Sequence, residues 1–175
     1  GMNNPSELLI DLTLKNVQDI DEHLMTLFSL TISTKPSMIL ELGVRTGRST
    51  LAFLYACNLI NAKLFSVDIQ DVKPDFNFPN DWKLNWNFIK MDAIKFLTED
   101  FIRLRDMRSD YEKNRGDIIF IDDWHSGDHV KKELDLVCNV ATPKDLIILH
   151  DLMYDNSQPN YKSIDHPKNK QWDNG

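Results

Sequence analysis

Apolar positions along the chain change period several times, and each change marks an element. Over 5–34, Leu8, Leu9, Leu12, Val17, Ile20, Leu24, Leu27 and Phe28 recur at spacings of three and four, with acids between them. That is the pattern of an amphipathic helical segment, and Pro36 stops it. Residues 37–43 (SMILELG) are an apolar burst running into glycine, which predicts a buried strand and a tight turn. Residues 49–61 are apolar on nearly all sides and predict a buried helix. A second strand over 64–68 ends at Asp68, and a third over 86–91 ends at Asp92. The helical period returns over 92–115, with Ile94, Leu97, Phe101, Leu104 and Tyr111 on one face and Arg103, Arg105, Arg108 and Glu112 on a wet one. After Gly116-Asp117 the run 118–121 (IIFI) predicts a strand. A helix over 128–141 points Val130, Leu134 and Val137 inward, and a last strand, 146–149 (LIIL), ends at His150-Asp151. The stretch 152–175 is polar and shows no periodic element.

Strands that are continuous apolar runs, alternating with helices, predict a parallel sheet covered on both faces. The expected fold is α/β: a Rossmann-like doubly wound, mostly parallel sheet with helices on both faces, preceded by N-terminal helices. In such sheets ligands sit outside the carboxyl ends of the strands. The residues of chemical interest fall at those ends: Glu41 and Gly43, Asp68, Asp92, Asp122 and Asp123, His150 and Asp151. One domain is expected over 1–175, with a helical segment at 5–34, a binding core at 37–151 and a polar tail at 152–175.

Composition narrows the function. The chain has 175 residues with 27 acidic and 20 basic side chains, a formal charge of −7. That sign argues against phosphate-backbone binding, which needs clustered Lys and Arg. The longest apolar runs are far short of the roughly 20 residues that span a bilayer. Gly1-Met2 reads as a tag remnant, and no signal peptide is recognised behind it. Cys57 and Cys138 stand apart in apolar stretches, which favours a reduced, cytoplasmic protein over a disulfide framework. A cytoplasmic enzyme or binding domain with a small-molecule partner is expected, with no nucleic-acid or membrane partner and with homo-oligomerisation left open.

The first turn reads Glu41-Leu42-Gly43-Val44-Arg45-Thr46-Gly47-Arg48-Ser49. It lacks the Gly-x-Gly-x-x-Gly of a dinucleotide fingerprint. Glu41 can face an ammonium, while the helix beginning near Ser49 offers N–H groups to a carboxylate. Gly43 and Gly47 allow close approach of a ligand, or serve packing only. An amino-acid-bearing nucleoside suits this turn better than a diphosphate. Asp68 follows Glu41 by 27 positions and is expected to accept from a ribose diol. Asp92 either caps the next helix, the better-favoured reading, or accepts from an adenine amino group.

The segments ILELGVRTGRST, SVDI, IFIDDWHSGDHVKKELDLV and LIILHD, in that order, resemble class I S-adenosylmethionine-dependent methyltransferases. Within them the likeness is to the small-molecule O-methyltransferase branch that includes catechol O-methyltransferase, and it covers about 37–151. The resemblance implies S-adenosyl-L-methionine as cofactor, with Glu41, Gly43, Gly47 and Ser49 near its methionine end and Asp68 on its ribose. In the catechol enzyme the fourth strand ends in a magnesium-binding aspartate followed by tryptophan and a lysine base. Here Asp122 takes the metal position, Trp124 the packing position beside the cofactor, and His125 replaces the lysine as general base. His150 and Asp151 stand where the family has an Asp-Asn metal pair. A divalent ion of the magnesium or manganese type at Asp122, His150 and Asp151 is therefore implied. The plain alternatives are a solvated strand end at Asp122 and Asp123 and a buried, hydrogen-bonded His150. The charges Asp128, His129, Lys131, Lys132 and Glu133 read as surface.

The family's full fold has two strands after the fifth, which the polar stretch after Asp151 does not show, so either the chain is incomplete at its C-terminus or it is a reduced version of the fold. The stretch 71–87, rich in aromatics and proline, reads as a lid, an acceptor wall or a loop in place of a helix. The leading function is methyl transfer to an oxygen of a small molecule. The alternatives are a non-catalytic nucleoside-binding domain on the same scaffold and a nicotinamide-dependent Rossmann oxidoreductase.

Overall fold

Five short apolar runs pair into one sheet in the computed structural model, which describes residues 4–74, 76–78, 80–122 and 127–150. The strands are β1 (Met38–Leu42), β2 (Lys63–Asp68), β3 (Trp86–Lys90), β4 (Asp117–Ile121) and β5 (Leu146–Leu149). All pairings are parallel, in the order β3-β2-β1-β4-β5. The helices are α1 (Pro5–Lys15), α2 (Leu24–Thr34), α3 (Arg48–Ile60), α4 (Ala93–Glu99), α5 (Phe101–Asp106), α6 (Asp110–Lys113) and α7 (Gly127–Val140).

Side-chain alternation along β1 divides the core in two. Ile39 packs with Leu51, Phe53 and Leu54 of α3 and Leu24 and Leu27 of α2. Met38, Leu40 and Leu42 pack with Phe96, Phe101, Val130 and Val137 on the other face. The expected layered architecture is thus present. The register also aligns the strand tips, because Leu42 lies opposite both Val67 and Ile121, and Ile121 lies opposite Leu149. Gly43, Asp68, Asp122 and His150 follow those four residues and form a single rim.

Three local expectations change. The helical reading over 5–34 breaks after Lys15, where Asn16 turns left-handed at φ 47. A 3-10 turn at Asp21–His23 then leads into α2, and Val17, expected inward, is exposed. The reading over 92–115 breaks into three short helices. Ser109 restarts the chain with a capping box to Glu112, and Tyr111 ends up exposed. The stretch 71–87 holds a 3-10 turn, Asn80–Asn85, in place of a full helix. Its aromatics supply the bulk a helix would have brought: Trp82 stacks on Tyr55 at 5.3 Å, and Phe78 lies 5.2 Å from Trp86. Both cysteines are free thiols, and no helix among the described residues is long and apolar enough to cross a membrane.

Arginines assigned to a wet face instead lock the end of the sheet opposite the rim. Arg108 donates to Asp117 and to Ser37 Oγ, and Arg105 donates to Asp145 Oδ2 at 2.8 Å. The N–H of Asp117 reaches Asp145 Oδ1 at 2.8 Å. Burial raises the Asp117 carboxyl above its ordinary range despite Arg108 and Ser37. Next to this network Gly116 sits at φ 76, where an added Cβ would stand 2.2 Å from the Lys144 carbonyl oxygen. Gly116→Ala is therefore expected to cost about 2–4 kcal/mol, combining left-handed strain with overpacking against backbone. Urea denaturation of the variant checks this; a loss below about 1 kcal/mol would mean the backbone there gives freely.

Candidate functional site

The chain leaves β1 through a turn whose backbone is fixed from several sides. Gly43 has φ 88 and donates its N–H to the Val67 carbonyl at 2.9 Å. Arg45 has φ 55, a left-handed conformation that is costly for a side-chain-bearing residue. Gly47, at φ 79, is the N-cap position of α3. A Cβ on Gly47 would meet the Phe78 ring at 2.8 Å. The missing side chain at Gly47 makes room for this chain's own aromatic, which is the packing alternative of the two sequence readings.

Glu41 was expected to face an ammonium. It lies instead on the Ile39 face of β1, fully buried. Its carboxyl accepts from Thr50 Oγ1 at 2.6 Å, Ser66 Oγ at 2.7 Å and Ser49 Oγ at 2.7 Å. Trp86 Nε1 extends the chain by donating to Ser66 Oγ at 3.0 Å. Burial pushes the carboxyl up to about 7, against the lowering effect of its three hydroxyl donors. Glu41 has no surface open, and the Ser49 hydroxyl donates to it. These bonds tie the start of α3 to β1 and β2.

Asp68 combines its expected position with an additional task. Its Oδ2 accepts from the Val44 N–H at 2.8 Å and from Arg45 N–H at 3.5 Å, while Oδ1 accepts from Gln70 N–H at 2.9 Å. The acid at the β2 tip is therefore tied to the glycine turn and stays partly open. Asp92 caps α4, its side chain accepting from Lys95 N–H at 3.0 Å, as the favoured sequence reading had it.

Backbone bonds carry the ladder one residue past β4 and β5. Asp122 N–H donates to the Leu42 carbonyl at 2.9 Å and His150 N–H to the Ile121 carbonyl at 3.0 Å. This places Asp122 and His150 side by side, with His150 Nδ1 3.0 Å from Asp122 Oδ1. Burial raises the Asp122 carboxyl, and the His150 bond opposes that. Two of the three expected metal ligands thus bond to each other. Among the described residues no three His, Cys, Asp or Glu side chains are grouped to hold an ion. Within the described residues the two form a hydrogen-bonded dyad. Asp123, Trp124, His125 and Asp151 lie outside the described residues. Glu133, read as surface, is buried, with His129 Nε2 2.8 Å from its Oε1.

Sequence reasoning missed a third contributor to the rim, the break between α1 and α2. Gln18, Asp19 and Asp21 all contact side chains of the glycine turn, and the His23 ring meets His150 edge-on at 5.3 Å. Reading 5–34 as continuously helical hid them; the polar run Asn16 to Asp19, interrupted only by Val17, was the available signal.

A parallel sheet ordered β3-β2-β1-β4-β5, with a glycine turn after β1 and an acid at the tip of β2, is the Rossmann-like arrangement that class I S-adenosylmethionine-dependent methyltransferases share with dinucleotide-binding folds. The methyltransferase domain family matches residues 40–152, and the chain belongs to that family. Among solved structures, one described as "cmcI-N160 SAH" is 17% identical with a TM-score of 0.52, over 78% of this chain and 62% of that one. The SAH-bound Podospora anserina methyltransferase PaMTH1 is 14% identical with a TM-score of 0.51, over 86% of this chain and 63% of that one. At these identities the likeness is one of fold, and the chain spans less than two thirds of either structure. No curated protein matches it.

Proposed function

We propose that the chain binds S-adenosylmethionine across the tips of β1 and β2 and transfers its methyl group to an oxygen of a small-molecule acceptor. The observation that carries this reading is the Asp68 carboxylate, held beside the glycine turn by the Val44 N–H and partly open, which supports a role as acceptor for a ribose diol. The fold shared with two structures that carry SAH in their descriptions supports it. S-adenosylmethionine, when bound, supplies a methyl group on a sulfonium. The protein's part is to align the acceptor oxygen with it and to remove the acceptor's proton. His125 is the proposed base, and the Asp122–His150 pair lies on the rim. The dinucleotide alternative loses ground because the turn lacks the Gly-x-Gly-x-x-Gly fingerprint.

Asp68→Ala is expected to weaken donor binding by about 1.5–3 kcal/mol, the worth of hydrogen bonds to a charged acceptor. Asp68→Asn can still accept from Val44 N–H, so it should hold the turn and lose only part of the affinity. Calorimetric titration with S-adenosylmethionine reads both, and unchanged affinity in a folded Asp68→Ala protein would remove Asp68 from the site. Methyl transfer to a panel of hydroxyl acceptors, with and without chelator, decides the proposed metal. Loss in chelator with recovery in magnesium or manganese points to Asp151 as the third ligand, while full activity in chelator leaves the residues to work alone.

A further inference from the structure

Every polar side chain within residues 45–48 of the glycine turn is bonded to one segment, residues 16–23. Arg45 Nη1 meets Asp19 Oδ1 at 3.1 Å, Thr46 Oγ1 donates to Gln18 Oε1 at 2.8 Å, and Arg48 Nη1 donates to Asp21 Oδ2 at 2.6 Å. The segment is also organised from within. Asp21 Oδ2 accepts from the N–H groups of Val17 and Gln18, each at 2.9 Å, and Asp19 Oδ1 accepts from Ile20 N–H at 3.0 Å. Asp21 thus shapes the segment and grips the turn with the same oxygen. Asp68 also holds the backbone of Val44 and Arg45.

We propose that residues 16–23 are a clamp on the cofactor turn: they keep Arg45 in its left-handed conformation and thereby set the affinity and release rate of the methyl donor and its product. The inference rests on the donor reading above. Holding a segment in its binding conformation spares the ligand the cost of ordering it. If loosening the clamp leaves the turn competent only one-tenth to one-fifth of the time, the apparent Kd rises about 5–10-fold. The coupling is reciprocal, so ligand bound at the turn must also steady the clamp. The exposed part of the clamp carries little folding energy. The Arg45–Asp19 pair is partly open to solvent, and such pairs contribute about 0–1 kcal/mol. Affinity and stability are therefore separable here.

The test uses the full chain and the double variant Gln18→Ala/Asp19→Asn, with S-adenosylhomocysteine as probe. Calorimetry should show Kd raised about 5–10-fold, with a thermal midpoint within a few degrees of the parent. Amide exchange at Val17 and Gln18 should slow when S-adenosylhomocysteine binds the parent chain. Thr46→Val should weaken binding as Gln18→Ala does, and combining the two should add little. Asp11→Asn, which removes only the Asp11–Lys15 pair on α1, should leave affinity unchanged. Parent binding that the double variant leaves unaltered, with exchange at 16–23 indifferent to ligand, would overturn the clamp alone. A parent chain that binds no S-adenosylhomocysteine would overturn the donor reading and the clamp together.

Discussion

Arg48→Met is expected to destabilise the protein by about 3–5 kcal/mol, the cost of stranding one partner of a buried ion pair. Arg48 and Asp21 meet at 2.6 Å with side-chain exposures of 5% and 0%. Asp21 keeps the N–H groups of Val17 and Gln18 after the change, but its charge loses the counter-ion that offsets burial. Because the pair joins the segment between α1 and α2 to the first turn of α3, the loss should come with early exposure of the N-terminal helices. Chemical denaturation followed by tryptophan fluorescence and by amide exchange measures both. A loss below about 1 kcal/mol would mean that solvent reaches Asp21 easily, and that the pair is no more than a surface contact.

The second large effect depends on pH and comes from Glu41. Its folded pKa is raised from 4.5 to about 7 by burial. A carboxyl raised on folding stabilises the native state fully below the unfolded value, and that contribution disappears as pH rises through the folded value. Between about pH 4.5 and 7 the parent chain should therefore lose about 3 kcal/mol that Glu41→Gln does not lose. Shifts at Asp117 and Asp145 are common to both proteins and cancel in the difference, while Asp122, whose charge adds to the rise at Glu41, titrates coupled to it. Unfolding free energies across this window check it, and parallel curves would show that the three hydroxyl donors hold Glu41 ionised throughout.

The sheet was legible because its strands are rich in apolar residues, and the rim because the first run ends in glycine and the others lead into Asp68, Asp92, Asp122 and His150. Loss of legibility begins where a residue's partner is distant in sequence. Arg105 and Arg108 fit the polar face of a helix, yet Asp145 and Asp117, brought in by strand pairing, draw them under the sheet. Asp21 and Arg48 are 27 positions apart, and only the packing of the N-terminal helices on α3 brings them together. Glu41 shows a different limit. An uninterrupted apolar strand conceals which face each residue takes, so an acid near its end read as open to a ligand. Its phase with Ile39 sends it instead to Ser49, Thr50 and Ser66. The helix breaks at Asn16 and Ser109 were hidden because apolar spacing continues across both. At Asn16 the left-handed turn, and at Ser109 the capping box, override it.

The central claim is that the turn between β1 and α3, with Asp68 beside it, holds a methyl-donor nucleoside. Titrating the purified chain calorimetrically with S-adenosylhomocysteine, and separately with a nicotinamide dinucleotide, tests it most directly. The account predicts one-to-one binding of S-adenosylhomocysteine and none of the dinucleotide. Tight dinucleotide binding, with no heat from S-adenosylhomocysteine, would contradict it.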